Sequence, residues 1–363
     1  MKEDKRKIFK KLIIRIIIFS SISLVFLLSL FFSEKIEIKI NRLYFDFNPY
    51  VNSCALKVHY VDVGQGDCTV IELPDEKLMM IDTGPSSSSD KLQKYLKVLG
   101  INKGDIIDYL ILTHTDIDHI GNAKMIIENY EIKNIYIPKV YSNYEVKNNL
   151  NVFDFNINTS LIWEEVCFSI ANENVENLFY NEMDLVIENH QADYSLIFNS
   201  PFSEKISDSN NYSPIMVLKY KSFKFMFVGD IDASVEQEFL NYYSSVLNNF
   251  DIDILKVSHH GSKNSTTNEF LSVVKPEKAI ISCGKDNSYS HPNNETINNL
   301  TSCGAEILRT DTTSSIVVAV NTNNLYCQTS YDFISTFDFC WWHFVVSAIV
   351  ISACLVFSIK IKG

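Results

Sequence analysis

The stretch Leu110-Ile-Leu-Thr-His-Thr-Asp-Ile-Asp-His-Ile-Gly121 decides how this chain folds. Tyr109 to Leu112 is a short apolar run and predicts a buried strand. The run stops at Thr113, and four candidate metal ligands follow within six residues: His114, Asp116, Asp118 and His119. Gly121 comes next, and a helical segment begins near Asn122. The alternation at 114, 116 and 118 turns three side chains to one side. Imidazole and carboxylate together suit zinc, manganese or iron, and four donors exceed what one tetrahedral ion takes from a single loop. The turn therefore predicts two cations.

Four more turns share this logic, each after an apolar strand. Asp82 follows Met80-Ile81, and Asp230 follows Phe227-Val228-Gly229. His259 and His260 follow Leu255-Lys-Val257, and His291-Pro292 follows the strand near 280 by a short polar loop. Five of the eight His sit in such loops, which a merely solvated polar loop would not require. Strand ends that converge there build a pocket of imidazoles and carboxylates with almost no Lys or Arg, and such a pocket needs cations to be stable. The other three His have plainer expectations: strand surface for His59, a loop for His190 and a membrane interface for His343. Tyr136 and Tyr194 are expected in the core.

Outward from the turn, Leu56–Val63 alternates as a strand, residues 64–67 turn, and Cys68–Leu73 and Leu78–Ile81 add two strands. Short turns predict that these pair antiparallel. Ser86–Ser89 is expected to be polar and flexible, with Asp90 capping a helix that carries Leu92, Tyr95, Leu96 and Leu99 and stops at Gly100. Ile135–Ile137 is a strand. Residues 140–192 are Asn-rich, and strands on an irregular insertion are expected there. Beyond it come a hairpin (215–220, 223–228), a helix (233–243), a strand (252–257), a helix (269–274), a strand (279–282), a helix (294–301) and closing strands at 306–308 and 315–320. This order predicts an α/β fold in which two sheets pack face to face with helices outside.

The 363 residues are 46% hydrophobic with a net charge of -12. Two apolar segments, 12–33 and 341–359, are each long enough to span a bilayer. The expected organisation is a basic cytoplasmic tail (1–11), a first span (12–33), a connector (34–54), a catalytic-type domain (55–325) and a second span (341–359). No small-x-small cleavage site follows Phe32, so the first span is expected to stay as an anchor. Lysines flank the outer ends of both spans and Trp341-Trp342 mark an interface, which predicts a plasma-membrane protein whose middle lies outside the cytoplasm. Residues 1–42 hold 10 Lys+Arg and 4 Asp+Glu, and residues 340–363 hold two lysines. The middle is left with 20 against 40, a balance of -20. Such a surface weighs against strong nucleic-acid binding over most of its area. Eight Cys are scattered without a C-x-x-C, so no disulfide framework is expected, and free buried thiols are expected at Cys68 and Cys283.

These residues carry a resemblance. Val61-Asp-Val-Gly-Gln-Gly-Asp67, Ile81-Asp-Thr-Gly84, Thr113–Gly121, Val228-Gly-Asp230, Val257-Ser-His-His-Gly-Ser262 and His291-Pro292 come in the order of the metallo-β-lactamase superfamily. Within it the chain resembles the branch of the C-terminal hydrolase domain of the competence protein ComEC, over about residues 55–320. The resemblance implies a four-layer αβ/βα sandwich with two divalent metal ions, Zn or Mn, at one edge. It implies His114 and Asp116 as ligands of one ion, Asp118 and His119 of the second, Asp230 as the bridge, and His260 or His259 completing the second site. The other His of that pair would face the substrate or leaving group together with His291, and Asp118 or Asp116 would orient a water. Asp82 would hold the ligand loop, and Asp62, Gln65 and Asp67 would line the pocket floor. Asp116 stands where the superfamily commonly has His, and Asn211 and Ser213 lie in the stretch where a further His is common.

Two ions of this kind make hydroxide available near neutral pH and offset charge on a phosphoryl or acyl oxygen. The implied activity is hydrolysis of a phosphodiester in nucleic acid, a nucleotide or the cell envelope. The alternatives are a carboxylic ester or lactone hydrolase on the same site, or a non-catalytic surface binding module. The multi-span permease of the competence proteins is not expected here, where two spans are read, so DNA transport by this chain alone is not expected.

Overall fold

The computed structural model describes residues 20–21, 49–138, 161–173, 176–179, 185–199, 208–242 and 250–331. The two apolar segments at 12–33 and 341–359 lie outside them, apart from residues 20–21. Among the described residues no helix is long and apolar enough to cross a membrane. The fold lies within the unit Pro49–Asp332.

Fifteen strands are described: β1 (Leu56–Tyr60), β2 (Thr69–Glu72), β3 (Leu78–Ile81), β4 (Ile106–Ile111), β5 (Glu131–Ile137), β6 (Glu176–Phe179), β7 (Val186–Asn189), β8 (Tyr194–Asn199), β9 (Ile215–Tyr220), β10 (Phe223–Phe227), β11 (Ile254–Lys256), β12 (Lys278–Ile281), β13 (Glu306–Arg309), β14 (Ser315–Val320) and β15 (Leu325–Tyr331). They form two sheets, ordered β15-β14-β1-β2-β3-β4-β5-β6 and β13-β12-β11-β10-β9-β8-β7. As the short turns imply, β1, β2 and β3 pair antiparallel. β3 and β4 run parallel, as do β10, β11 and β12. Parallel strands of a sheet release their carboxyl ends along one edge, and Asp82, the His114–His119 turn, Asp230, His259-His260 and His291 all follow such ends.

Side-chain alternation builds the layers. Val58, Tyr60, Ile71 and Met79 of the first sheet share one apolar cluster with Phe198, Leu218, Phe225, Phe227, Ile254 and Ile280 of the second. The neighbours Met226, Leu255, Ala279 and Ile281 face the other way, onto Phe239, Phe270, Leu271 and Leu300 of the helices Ala233–Tyr242, Asn268–Val274 and Asn294–Ser302. The result is a mixed α/β fold of two sheets. Phe227 is buried in the inner layer, its ring 6.2 Å from that of Tyr60. Phe227→Ala is expected to cost about 3–5 kcal/mol of unfolding free energy by chemical denaturation. A loss under about 1 kcal/mol would contradict this packing.

Several expectations are corrected. Ser86–Ser88 is a 3₁₀ turn and Ser88 is the N-cap of the helix Ser89–Leu99, so Asp90 lies inside the first turn, where it favours the dipole. The described part of the insertion holds a helix, Leu161–Glu173, besides strands. Its buried Trp163, Val166, Cys167 and Ile170 recur at helical spacing. Strand β15 adds an edge to the first sheet beyond the closing strands that the pattern predicts. His59 is not on a strand surface. It is 2% exposed on the face of β1 turned to the helix Ser89–Leu99, with Nδ1 2.9 Å from Tyr95 Oη and Nε2 2.9 Å from Glu72 Oε1. His190 is exposed and His343 lies outside the described residues. Cys68 and Cys283 are buried free thiols, and Tyr136 and Tyr194 are in the core.

The His59 contact sets a pH dependence. Burial raises the Glu72 carboxyl, but His59 and Lys57 outweigh it and hold the group at about 2. A depressed acid contributes stability above its unfolded value of about 4.3, and that stability is lost as pH falls through that value toward about 2. The melting temperature of wild type is expected to fall across that window relative to Glu72→Gln. Parallel curves for the two proteins would contradict the contact.

Candidate metal centre

Strand β4 ends at Ile111, and the chain turns through His114 to a single helical turn, Ile117–Ile120. Strand β3 ends beside it. Asp82, in the left-handed region at φ 55°, folds its carboxylate back over the turn. Its Oδ1 accepts from the Thr113 N–H at 2.8 Å, and its Oδ2 accepts from Thr113 Oγ1 at 2.7 Å. The same Oδ2 lies 2.8 Å from His119 Nδ1. A carboxylate is an acceptor, so the His119 proton sits on Nδ1 and the lone pair on Nε2. Thr113 Oγ1, having given its proton to Asp82, accepts from His114 Nδ1 at 3.1 Å, with Ser213 Oγ at 3.2 Å. His114 Nε2 therefore also carries a lone pair, and it is buried with no hydrogen-bond partner among the described residues.

Opposite, β11 leads into Ser258-His-His-Gly261. His259 and His260 adopt φ 46° and 54°, and Gly261 follows at φ 83°. Left-handed backbone costs about 1–2 kcal/mol per non-glycine residue. Surrounding bonds hold it: His259 N–H to Gly229 O at 3.1 Å, Ser258 Oγ to Ile231 O at 2.6 Å and Asn293 N–H to Gly261 O at 2.9 Å. His260 Nδ1 lies 2.9 Å from the Ser282 carbonyl and gives its proton there. Its Nε2 then faces inward as a third lone pair.

These groups meet at Asp230. Its Oδ2 is 3.2 Å from His119 Nε2 and 3.3 Å from His260 Nε2, and those two nitrogens are 3.4 Å apart. Asp118 Oδ2 is 3.2 Å from His260 Nε2. Asp230 Oδ1 is buried without a hydrogen-bond partner among the described residues. Ligand atoms of Asp67, His119, Asp230 and His260 all lie within 4.8 Å of one another, and all four residues are buried. Acceptors turned on acceptors repel unless a cation lies between them. Burial alone would lower His119 and His260, yet Asp230 with Asp82 for the first, and with Asp67 for the second, hold both well above the usual imidazole range. The same imidazoles hold Asp230 well below the carboxylate range against its own burial. A proton or a metal ion satisfies that field, and the nitrogen–oxygen donor set fits a divalent first-row metal.

Other residues take other places. Asp116 accepts from Ser209 Oγ at 2.7 Å. Asn211 exchanges bonds with Asp232, and Ser213 Oγ accepts from the Asp230 N–H at 3.2 Å, so this stretch fixes the loop after β10. Gln65 Oε1 accepts from Gly284 N–H at 3.1 Å. Asp62 caps the Gly64 N–H and pairs with Lys91 of the helix Ser89–Leu99 at 2.5 Å. His259 is half-buried, its Nε2 3.9 Å from Asp230 Oδ2. The His291 ring lies 5.6 Å from that of His259 and 6.3 Å from that of His260. Burial, then the His260 and His259 charges, push His291 down to about 4. One base is present where almost none is expected. Lys256 is buried, its Nζ 2.6 Å from Asp67 Oδ2.

Residues 61–152 match the family model described as Metallo-beta-lactamase superfamily. The chain is 31% identical over 277 residues to ComE operon protein 3 of Bacillus subtilis (strain 168), over 72% of this chain and 32% of that protein. It is 28% identical over 238 residues to Recombination protein 2 of Haemophilus influenzae, over 65% of this chain and 25% of that one. The chain thus spans about a third or less of the length of these relatives. Among solved structures it is similar to the metallo-beta-lactamase fold protein YhfI from Bacillus subtilis, at 9% identity and a TM-score of 0.44, over 75% of this chain and 99% of that one.

Proposed function

We propose that this chain, a metal-dependent hydrolase carrying a metallo-β-lactamase domain related to the competence proteins, is a membrane-anchored phosphodiesterase with two divalent ions, Zn or Mn. The observation that carries the proposal is the convergence of His119 Nε2 and His260 Nε2 on Asp230, with Asp118 Oδ2 against His260 Nε2 and a buried His114 Nε2 that has no hydrogen-bond partner among the described residues. Charge supports the count of ions. Asp67, Asp82, Asp116, Asp118 and Asp230 bring five negative charges and Lys256 one positive, and the resulting -4 is neutralised by two divalent cations.

His114 and Asp116 would hold one ion, Asp118, His119 and His260 the other, and Asp230 both. Such ions, when bound, lower the pKa of water and offset charge on a phosphoryl oxygen. The chain's own residues do the rest. Asp82 orients His119 directly and His114 through Thr113. Asp118, partly exposed at the mouth, orients the attacking water. His291, pushed down to about 4, is a neutral imidazole near pH 7 and offers a hydrogen bond rather than a stored proton. His259 is left to deliver the proton to the leaving oxygen. Relatives named for competence and recombination put nucleic acid among the candidate substrates. The -20 balance of the middle favours a nucleotide or an envelope phosphodiester over a long nucleic acid. The spans at 12–33 and 341–359 would hold the domain outside the cytoplasm.

The test is hydrolysis by the full chain, in detergent with Zn²⁺ or Mn²⁺, of bis-p-nitrophenyl phosphate against p-nitrophenyl acetate. Turnover of the phosphodiester is expected. Turnover of the acyl ester alone would favour the carboxylic ester reading, and turnover of neither would favour a binding module.

A further inference from the structure

Lys256 closes β11, two residues before the Ser258-His-His-Gly261 turn. Lys256 is 2% exposed, deeper than a lysine sits without a partner. Nζ lies 2.6 Å from Asp67 Oδ2 and donates to the Val257 carbonyl at 2.9 Å. A buried ion pair is weak evidence for stability, since apolar residues of the same volume often do as well. The pair therefore calls for another explanation, and its surroundings supply one.

Asp67 sits on the loop Gly64-Gln-Gly-Asp67, which is clamped onto the ligand turn. Its N–H donates to the Asp118 carbonyl at 3.1 Å. Gly66, at φ 143°, permits this approach, because a Cβ there would lie 2.3 Å from Asp118 O. Lys256 takes one carboxylate oxygen of Asp67 and leaves the other. That other oxygen, Oδ1, is buried with no hydrogen-bond partner among the described residues. It lies 3.2 Å from the His260 ring nitrogen Nδ1, whose proton is already given to the Ser282 carbonyl. A ligand atom of Asp67 shares the 4.8 Å cluster with His119, Asp230 and His260.

We propose that Asp67 is an additional ligand of the metal centre through Oδ1, and that Lys256 is the positioning residue that presents it by holding Oδ2. The proposal rests on the metal-centre reading above. Ligating carboxylates are commonly fixed by a hydrogen bond to the second oxygen, and a buried ammonium does this while offsetting one negative charge. Lys256 would then be the reason the centre can hold five carboxylates.

The test uses the full chain in detergent and Co²⁺ as probe, read by visible absorption and by competition with a chelator. Asp67→Asn is expected to weaken Co²⁺ binding at least ~10-fold and to change the absorption spectrum. Lys256→Met is expected to change both readouts as well, because Asp67 is no longer held. The double variant Lys256→Met/Asp67→Asn removes the charged pair together, so folding is retained, and it is expected to stay as weak as Asp67→Asn. Wild-type affinity and spectrum in Asp67→Asn would overturn the proposal. So would recovery of wild-type binding in the double variant, which would make the pair a partnership of the fold alone. Failure of the wild type to take up Co²⁺ would instead sink the metal-centre reading itself, and this proposal with it.

Discussion

Asp230→Asn is expected to lower turnover of bis-p-nitrophenyl phosphate by at least ~10³-fold and to reduce bound metal. Asp230 is where the site's donors meet, with His119 and His260 nitrogens 3.2 and 3.3 Å from Oδ2, and Oδ1 without a hydrogen-bond partner among the described residues. Asparagine keeps the shape and the main-chain bond to Ser213 but removes the charge. It also turns an amide N–H₂ toward positions that a cation would occupy. Metal held at that point would supply several kcal/mol of transition-state stabilisation, and each 1.36 kcal/mol is tenfold in rate. Kinetics with bis-p-nitrophenyl phosphate and metal analysis on the same preparation check this, with circular dichroism to confirm the fold. A variant within tenfold of wild type and with full metal content would contradict the central role of Asp230.

Asp82→Asn is expected to weaken metal binding ~10–100-fold, although Asp82 has no contact with Asp230. Both Asp82 oxygens are committed: Oδ1 to the Thr113 N–H, Oδ2 to Thr113 Oγ1 and His119 Nδ1. An amide cannot accept at both positions. If its nitrogen faces His119, two donors collide and the imidazole loses the tautomer that leaves Nε2 free. If its nitrogen faces Thr113, the N–H that anchors the ligand turn has no acceptor. The backbone itself is not the obstacle, because Asn tolerates the left-handed φ of 55° at this position. Titration with Zn²⁺ or Mn²⁺ reads the effect, and an unchanged affinity would contradict the assignment of the His119 and His114 tautomers.

Much of this centre is legible in the sequence, because each strand-end motif is local. Tyr109–Leu112 announces a buried strand, and the ligands follow at once. The residues that lie elsewhere were those whose partners are distant in the chain. Lys256 reads as the polar member of an alternating strand, and lysines are ordinarily exposed. Its burial depends on Asp67, 189 positions earlier. Asp62 shares a motif with Asp67 but faces the helix Ser89–Leu99, because strand alternation and the turn at Gly64 send the two carboxylates apart. His59 alternates as a surface residue would, yet a helix covers that face and Glu72 and Tyr95 satisfy both ring nitrogens. The helix Leu161–Glu173 did carry a signal, in the spacing of Trp163, Val166, Cys167 and Ile170. The Asn-rich stretch around it, with its patchy apolar content, obscures that periodicity.

The most direct test of the metal centre is the number of divalent ions bound per chain in the purified full-length protein, with Asp230→Asn measured beside it. Two ions per wild-type chain and a clear loss in the variant are predicted. A wild-type chain that binds no Zn²⁺ or Mn²⁺ at micromolar concentrations would contradict the account.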